Sequence, residues 1–341
     1  MTYMIYGANG YTGELIAREA VRRGQKPVLA GRSAEKVEAL ARELGLESRV
    51  FDLDAPRIDG VAAVLHCAGP FSRTSAPMVR ACLEKGVHYL DITGEIDVFE
   101  AVLGQHDEAV RRGVTLLPGV GFDVVPTDCL AAMLAAKLPD ANELWLAFFG
   151  KGMGISPGTA KTMYDTAHRG GAIRKDGKIV RVPMVFDVRE IPFSCGPKTA
   201  MTIPWGDVST AYHTTGIPNI RVYSARPRKS IDQLRRIAPL LKLMSFPPLK
   251  KLMQRMAGKR PGPSDERRAA GRTYLWGRVA NPSGREVTMT METPEGYTLT
   301  VFSALAAVER LLEGPKRPGA YTPAKFFGAD FVTSLPGVTL P

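Results

Sequence analysis

The chain has 341 residues, 45% of them hydrophobic and 23% charged, enough for two globular domains or for one nucleotide fold with a large insertion. Its formal net charge of +11 is concentrated, because residues 221–272 hold 15 Lys/Arg against 3 Asp/Glu and the remainder is near neutral. No signal-peptide pattern precedes the first strand, no apolar run nears the roughly 20 residues of a membrane span, and the scattered Cys67, Cys82, Cys129 and Cys195 form no CxxC pair beside histidines; these features exclude a disulfide framework and a metal centre and predict a reducing, cytoplasmic setting.

Residues 2–6 are a short apolar run of strand composition, followed by Gly7-Ala8-Asn9-Gly10-Tyr11-Thr12-Gly13 and then by residues 14–23, which sort onto two faces as an amphipathic helix. A strand, a glycine turn and a helix N-terminus together make an anion site. The glycines let the backbone approach a pyrophosphate, and the free N–H groups of the first helical turn point at it. The spacing is GxxGxxG rather than GxGxxG, so the expectation rests equally on the strand–helix alternation that follows. A second strand over residues 26–30 ends in Gly31-Arg32-Ser33. An NAD site places a carboxylate here for the ribose 2′-hydroxyl; a guanidinium instead suits a 2′-phosphate, so Arg32 and Ser33 predict NADP. The competing role for Arg32 is a solvated residue before a helix over 34–44.

Strands are predicted over 49–53 and 62–67, the latter ending in Ala68-Gly69-Pro70-Phe71 at a strand's carboxyl end, where an open α/β sheet binds its ligand. A helix over 72–86, a strand over 88–92, a helix over 98–112 and a strand over 114–117 complete a six-stranded doubly wound unit ending near residue 125. Beyond it, helices are expected over 127–138 and 156–170, and strands over 143–149, 178–183, 219–224, 273–279 and 286–292, with the alternation of an antiparallel sheet wet on one face. Residues 297–312 read as strand then helix, and the Pro/Gly-rich tail from 314 has little periodicity.

The motifs GANGYTG (7–13), AGR (30–32), CAGPF (67–71), ACLEKGVHYLDITGE (81–95) and GVGFDVVPTD (119–128) resemble the saccharopine dehydrogenase-like oxidoreductases. The shorter members, similar to trans-acting enoyl reductases, fit best, and SPGTAKTM, GDVSTAYHTTGIPNI and GAYTPAKFFGADF extend the likeness over nearly the whole chain. The resemblance implies NADP-dependent hydride transfer and a tail that returns to the nucleotide domain. None of the motifs fixes a substrate, and saccharopine chemistry itself does not carry over.

Hydride transfer needs a group that protonates or stabilises the charge developing beside the hydride acceptor. Asp91, Thr93, Glu95 and Asp123 fall at strand ends and are candidates to bind substrate; each has a capping or turn role beside it as an alternative. Tyr212 and His213, then Tyr164 and His168, are the candidate acids from the second part of the chain. Tyr321 and Lys325 match YxxxK, but Pro323 interrupts the helix that mechanism requires, so the match is read as coincidence. Residues 228–260 form two amphipathic stretches broken by Pro247-Pro248, with an apolar stripe and unopposed cations. Almost no aromatics interleave them, which argues against nucleic acid; either a solvated flap or a surface for an acidic carrier protein or anionic membrane fits.

The expectation is therefore an α/β chain: an NADP-binding Rossmann-type doubly wound parallel sheet over 1–126, an α+β substrate and dimerisation domain with a mostly antiparallel sheet over 127–313, and a tail over 314–341. It would reduce a C=C or C=N bond of a hydrophobic or carrier-borne substrate as a cytoplasmic homodimer, in contact with a membrane surface at most peripherally. The alternatives are a saccharopine-type amino-acid dehydrogenase and a catalytically silent NADP-binding protein.

Overall fold

In the computed structural model, which describes residues 2–152, 154–166, 169–241 and 262–341, strands and helices alternate from the start. They are β1 (Tyr3–Tyr6), α1 (Tyr11–Arg22), β2 (Val28–Gly31), α2 (Ala34–Leu44), β3 (Ser48–Val50), β4 (Ala63–His66), α3 (Phe71–Lys85), β5 (His88–Asp91), α4 (Ile96–Leu103), α5 (His106–Arg112) and β6 (Thr115–Leu117). There follow α6 (Val125–Lys137), β7 (Glu143–Lys151), α7 (Pro157–Thr166), β8 (Gly171–Lys175), β9 (Lys178–Val182), β10 (Val188–Phe193), β11 (Gly196–Thr202), α8 (Asp207–Thr215), β12 (Asn219–Ala225) and α9 (Arg228–Leu241). The last elements are α10 (Asp265–Ala270), β13 (Arg272–Ala280), β14 (Glu286–Pro294), α11 (Gly296–Glu313), β15 (Gly319–Ala320), α12 (Pro323–Phe327) and a 3₁₀ turn at Ala329–Ser334.

The first sheet runs β15-β6-β5-β4-β1-β2-β3, all parallel, so the doubly wound expectation holds. Its order reverses between β1 and β4, the switch point outside whose carboxyl ends an open α/β sheet forms its ligand crevice. The second sheet runs β10-β11-β12-β7-β13-β14, with β8 and β9 attached through β12; only β12 and β7 pair in parallel. One apolar cluster joins the two sheets, from Ile5 and Leu29 to Leu146, Val222 and Leu275. Between them lies α6, with Val125, Cys129, Leu130, Ala131 and Leu134 all buried, as a helix enclosed on both sides requires. Each such fully buried Leu or Val contributes about 1.5–3 kcal/mol of burial.

Several elements depart from the sequence expectation. The helix expected over 98–112 is two, α4 and α5, parted at Gly104, where a helix interior loses about 1 kcal/mol relative to alanine. Residues 297–312 are helical throughout: the β-branched Thr298, Thr300 and Val301 suggested a strand, but Leu299, Ala304, Leu305, Val308 and Leu311 share a buried stripe and Glu295 caps the N-terminus. Strands β10 and β11 went unread because their exposed polar positions hide the alternation, β8 because Gly171 and the buried Arg174 break an apolar run, and the 207–215 segment is a helix despite its hydroxyl residues. The tail adds β15 to the edge of the first sheet, Gly319 and Ala320 pairing with Thr115 and Leu116. Among the described residues no helix is long and apolar enough to cross a membrane. His168, the side chain of Tyr164 and residues 242–261 of the basic segment lie outside the described residues.

Candidate functional site

The glycine turn is built by close approach. Gly7 has φ +84°, and a Cβ there would stand 2.8 Å from the Ala68 nitrogen across the β1–β4 fork. A Cβ on Gly13 would overlap the Gly7 carbonyl oxygen, so the first turn of α1 lies directly on the end of β1. Gly7 and Ala8 donate their N–H groups to the Ala30 carbonyl at 2.8 and 3.1 Å, and Gly10 N–H donates to Gly7 O at 2.9 Å. No side chain caps α1, which begins at Tyr11 after Gly10, so its leading N–H groups are left for an anion. Asn9 lies against Gly31, and neither Asn9 nor Thr12 spends its side chain on a hydrogen bond among the described residues.

The same holds one strand over. Arg32 is exposed at the end of β2 and forms no ion pair among the described residues, and the Ser33 hydroxyl precedes α2 without capping it. Opposite, the Ala68-Gly69-Pro70 turn is braced from behind. The Thr74 hydroxyl donates to Ala68 O at 2.6 Å, and Glu95 accepts from the N–H groups of Phe71 and Ser72 at 2.8 and 3.1 Å. The Phe71 ring is buried edge-on against His66, so Phe71 shapes the turn and does not line it. A dinucleotide fits these residues: the glycines leave the space, α1 offers its N–H groups, and Arg32 and Ser33 are uncommitted.

The four strand-end candidates separate. Asp91 is fully buried; it accepts from the Tyr89 hydroxyl at 2.7 Å and from the Thr93 and Gly119 N–H groups at 3.0 and 2.8 Å. It latches the ends of β5 and β6 together, and burial pushes its carboxyl up to about 6. Thr93 is also buried and its hydroxyl oxygen accepts from the Glu95 N–H at 3.1 Å. Glu95 is the cap of α3. These three are therefore framework, contrary to the expectation that they contact substrate directly. Asp123 is different. It is partly exposed, packs against Gly94, and makes no hydrogen bond among the described residues. Burial, and secondarily the charge of Glu95, push its carboxyl up to about 7.

Tyr11, expected at the cofactor, and two residues that the sequence did not mark, Tyr297 and Arg268, close the crevice. The Tyr11 hydroxyl donates to Pro263 O at 2.7 Å and accepts from Arg268 at 3.0 Å, and its ring meets Tyr297 edge-to-face at 5.0 Å. The Tyr297 hydroxyl in turn accepts from Ser156 N–H at 2.7 Å and lies 2.9 Å from the Thr159 hydroxyl. At the other end of α7, Asp165 pairs with Arg73 of α3 at 3.4 Å. Helix α7, about 15 Å long, thus reaches from the α1 side of the fork to the α3 side. The Ser-Pro-Gly-Thr opening was the one legible sign of it; Tyr297 and Arg268 carried none.

The expected acids Tyr212 and His213 are elsewhere. They lie on α8, with the Arg174 guanidinium 4.2 Å above the Tyr212 ring and His213 Nε2 3.4 Å from Glu100 of α4. Glu100 also accepts from Arg174 at 2.9 Å and Ser209 at 2.6 Å. His213 first, then Ser209 and Arg174, hold its carboxyl down at about 2. Among the described residues no contact links Tyr212 or His213 to the glycine turn, to residues 68–71 or to Asp123. Their placement is that of a structural network, because α8 docks this face on α4.

Residues 3–117 match the model of the saccharopine dehydrogenase NADP binding domain. The saccharopine dehydrogenase-like oxidoreductases of Bos taurus and Homo sapiens are each 33% identical over 150 residues, covering 37% of this chain and 35% of the relative. A trans-acting enoyl reductase of Mycobacterium bovis is 32% identical over 138 residues, covering 37% of this chain and 33% of that protein. These alignments thus span about a third of the relatives' lengths. The apo saccharopine dehydrogenase (L-Glu forming) of Saccharomyces cerevisiae superposes with a TM-score of 0.67 at 12% identity, over 100% of this chain and 99% of that one, a likeness of fold. The resemblance read from the motifs stands, and the first 117 residues carry a dinucleotide-binding domain of this type.

Proposed function

We propose that the chain is an NADP-dependent oxidoreductase that reduces a C=C bond conjugated to a carbonyl, in a hydrophobic or carrier-borne substrate, with Asp123 as the proton donor. The observation that carries this reading is the Asp123 carboxyl: at the crevice, free of hydrogen bonds, and raised to about 7, so that near neutral pH it holds a proton it can give up. Bound, the dinucleotide supplies a hydride to the substrate; the remaining work falls to the chain. The glycine turn and α1 hold the pyrophosphate, Arg32 and Ser33 engage the 2′-phosphate, and the 68–70 turn braces the nicotinamide side. Asp123 gives its proton to the carbon beside the one receiving hydride. With α7 across the fork, Tyr297, Ser156 and Thr159 exclude water on one side.

Substrate polarity separates this from a saccharopine-type reaction. Around the crevice lie Glu95, Asp123 and Asp165, which disfavour a carboxylate-rich substrate, whereas Ile155 and Met163 beside and on α7 are 48% and 47% exposed and offer apolar contact. The carrier-borne form draws on the basic 228–260 segment, of which α9 is described: Ile231 is buried while Arg228, Lys229, Arg235 and Arg236 are exposed. An assay of NADPH consumption against enoyl thioesters, and against a 2-oxo acid with an amine, tests the reading. Oxidation with the thioesters is expected. Preference for the 2-oxo acid and amine would favour the amino-acid dehydrogenase, and NADPH binding without turnover of either would favour a silent binding protein.

A further inference from the structure

The Tyr321 and Lys325 pair, set aside as a chance match, lines a cavity of about 270 Å³ together with Leu103, His106, His213 and Thr322. The cavity belongs to the far end of the first sheet. It opens where α4 ends and β15 pairs with the start of β6, while α4 begins at the crevice rim beside Glu95. Helix α4, eight residues, spans about 12 Å between them.

Its lining is rich in donors and holds no carboxylate. The Lys325 ammonium is exposed and donates to His213 O at 3.1 Å, which occupies one of its three protons. His106 uses Nδ1 on the Ala320 backbone at 3.1–3.2 Å, leaving Nε2 without a partner among the described residues. Arg317 lies over the Tyr321 ring at 4.6 Å and adds a second fixed cation behind the wall. The Thr322 hydroxyl is already committed. The Thr214 hydroxyl donates to Asp128, so the Thr322 hydroxyl, 2.5 Å away, donates to Thr214 and accepts from Lys325 N–H. Two carboxylates stand behind the lining: Asp128, which accepts from the Thr214 hydroxyl on one oxygen and has no partner for the other among the described residues, and Glu100, held by Arg174 and Ser209. Unspent donors on Lys325 and two cations at the lining are the complement of an acceptor-only ligand.

We propose that this cavity binds a small oxyanion, a carboxylate or phosphate group of a small metabolite, at a site separate from the cofactor crevice. Nothing in the proposal depends on the reaction assigned above. Isothermal titration at low ionic strength, with inorganic phosphate in one arm and succinate in the other, tests it and distinguishes the two groups. Saturable binding of at least one probe is expected. It should weaken at least tenfold in Lys325→Gln, recover in Lys325→Arg, and persist in Arg32→Ala, since phosphate held at the 2′-phosphate position would instead be lost there. NADPH affinity should be unchanged in Lys325→Gln. Absence of saturable binding by either probe, or binding that survives Lys325→Gln and disappears in Arg32→Ala, overturns the proposal. Lys325 is exposed, so its replacement leaves the fold intact for the measurement.

Discussion

The crevice at the β1–β4 fork and the α4–α8 junction are both crowded with ionisable side chains, yet they treat them in opposite ways. At the junction Glu100 is answered: it accepts from Arg174 and Ser209, lies 3.4 Å from His213 Nε2, and is pulled down to about 2. In the crevice a few polar groups are left unspent among the described residues: the α1 N–H groups are uncapped, Arg32 has no ion pair, and Asp123 has no donor. Saturated networks hold helices together, whereas unsatisfied groups that face a cleft cost stability and are kept for a ligand. Residue type did not distinguish the two regions. Tyr212 and His213 look more like acids than Asp123 does, until their partners are seen.

The strongest way to break this contrast is at Asp123. Asp123→Asn should lower turnover by about 10²–10⁴-fold with little change in NADPH affinity, measured by steady-state kinetics and cofactor titration. In the unmodified protein the rate should fall as pH rises through about 7, where the acid loses its proton. The same variant carries a stability signature. The folded carboxyl titrates above its unfolded value, so the native state is favoured below about 4 and loses that advantage as pH rises through about 7. Asp123→Asn should therefore be more stable than the parent at pH 8 by about 1–3 kcal/mol, with the difference vanishing below pH 4 on denaturant titration.

Next in size is Gly13→Ala. Its added methyl group meets the Gly7 carbonyl, a backbone atom that cannot step aside without moving the turn. A loss of NADPH affinity of about 100-fold is expected, with folding retained at a cost of about 1–3 kcal/mol. Wild-type affinity in this variant would mean that the crevice does not hold the pyrophosphate.

At the junction, Glu100→Ala should destabilise by about 1–3 kcal/mol, less than a fully buried pair because the Glu100 side chain is 39% exposed, while kcat stays within about threefold. Glu100 is depressed in the folded state, so its stabilisation is present above about 4.5 and lost as pH falls toward about 2; the variant should lack that acid-dependent loss. His213→Gln should likewise leave kcat nearly unchanged. A hundredfold fall in kcat for either variant would place the chemistry here and erase the distinction between the regions.

The smallest effect concerns the choice between cofactors. Arg32→Ala should narrow the preference for NADPH over NADH by about 1–2 kcal/mol, read as a ratio of dissociation constants, because the side chain is exposed and its contact is made partly in water. Equal affinities in the unmodified protein would sharpen the question to Ser33 and the N-terminus of α2.

Much of the first sheet was legible because short-range chemistry encodes it. Apolar four-residue runs, helical periodicity and glycines at fixed offsets each constrain a few neighbouring residues, and so β1 to β6 and residues 7–13, 32–33 and 68–70 fell where expected. Helix α2 matched to the residue, with Gly45 in the left-handed conformation at its end. What the sequence could not supply was the pairing of distant groups. Asp91 and Asp123 are the same residue type at the ends of neighbouring strands. One spends both oxygens on Tyr89, Thr93 and Gly119, and the other spends neither. Likewise Tyr297, 141 positions from Ser156, becomes a wall of the crevice only because α11 begins beside Tyr11 of α1. Local sequence determined the glycine cradle and the sheet that carries it, since backbone sterics and side-chain periodicity act over a few residues. Which carboxyl stays free to give a proton, and which histidine is docked beside Glu100 instead of at the crevice, was decided by tertiary packing, because burial and hydrogen-bond satisfaction are properties of neighbours brought from elsewhere in the chain.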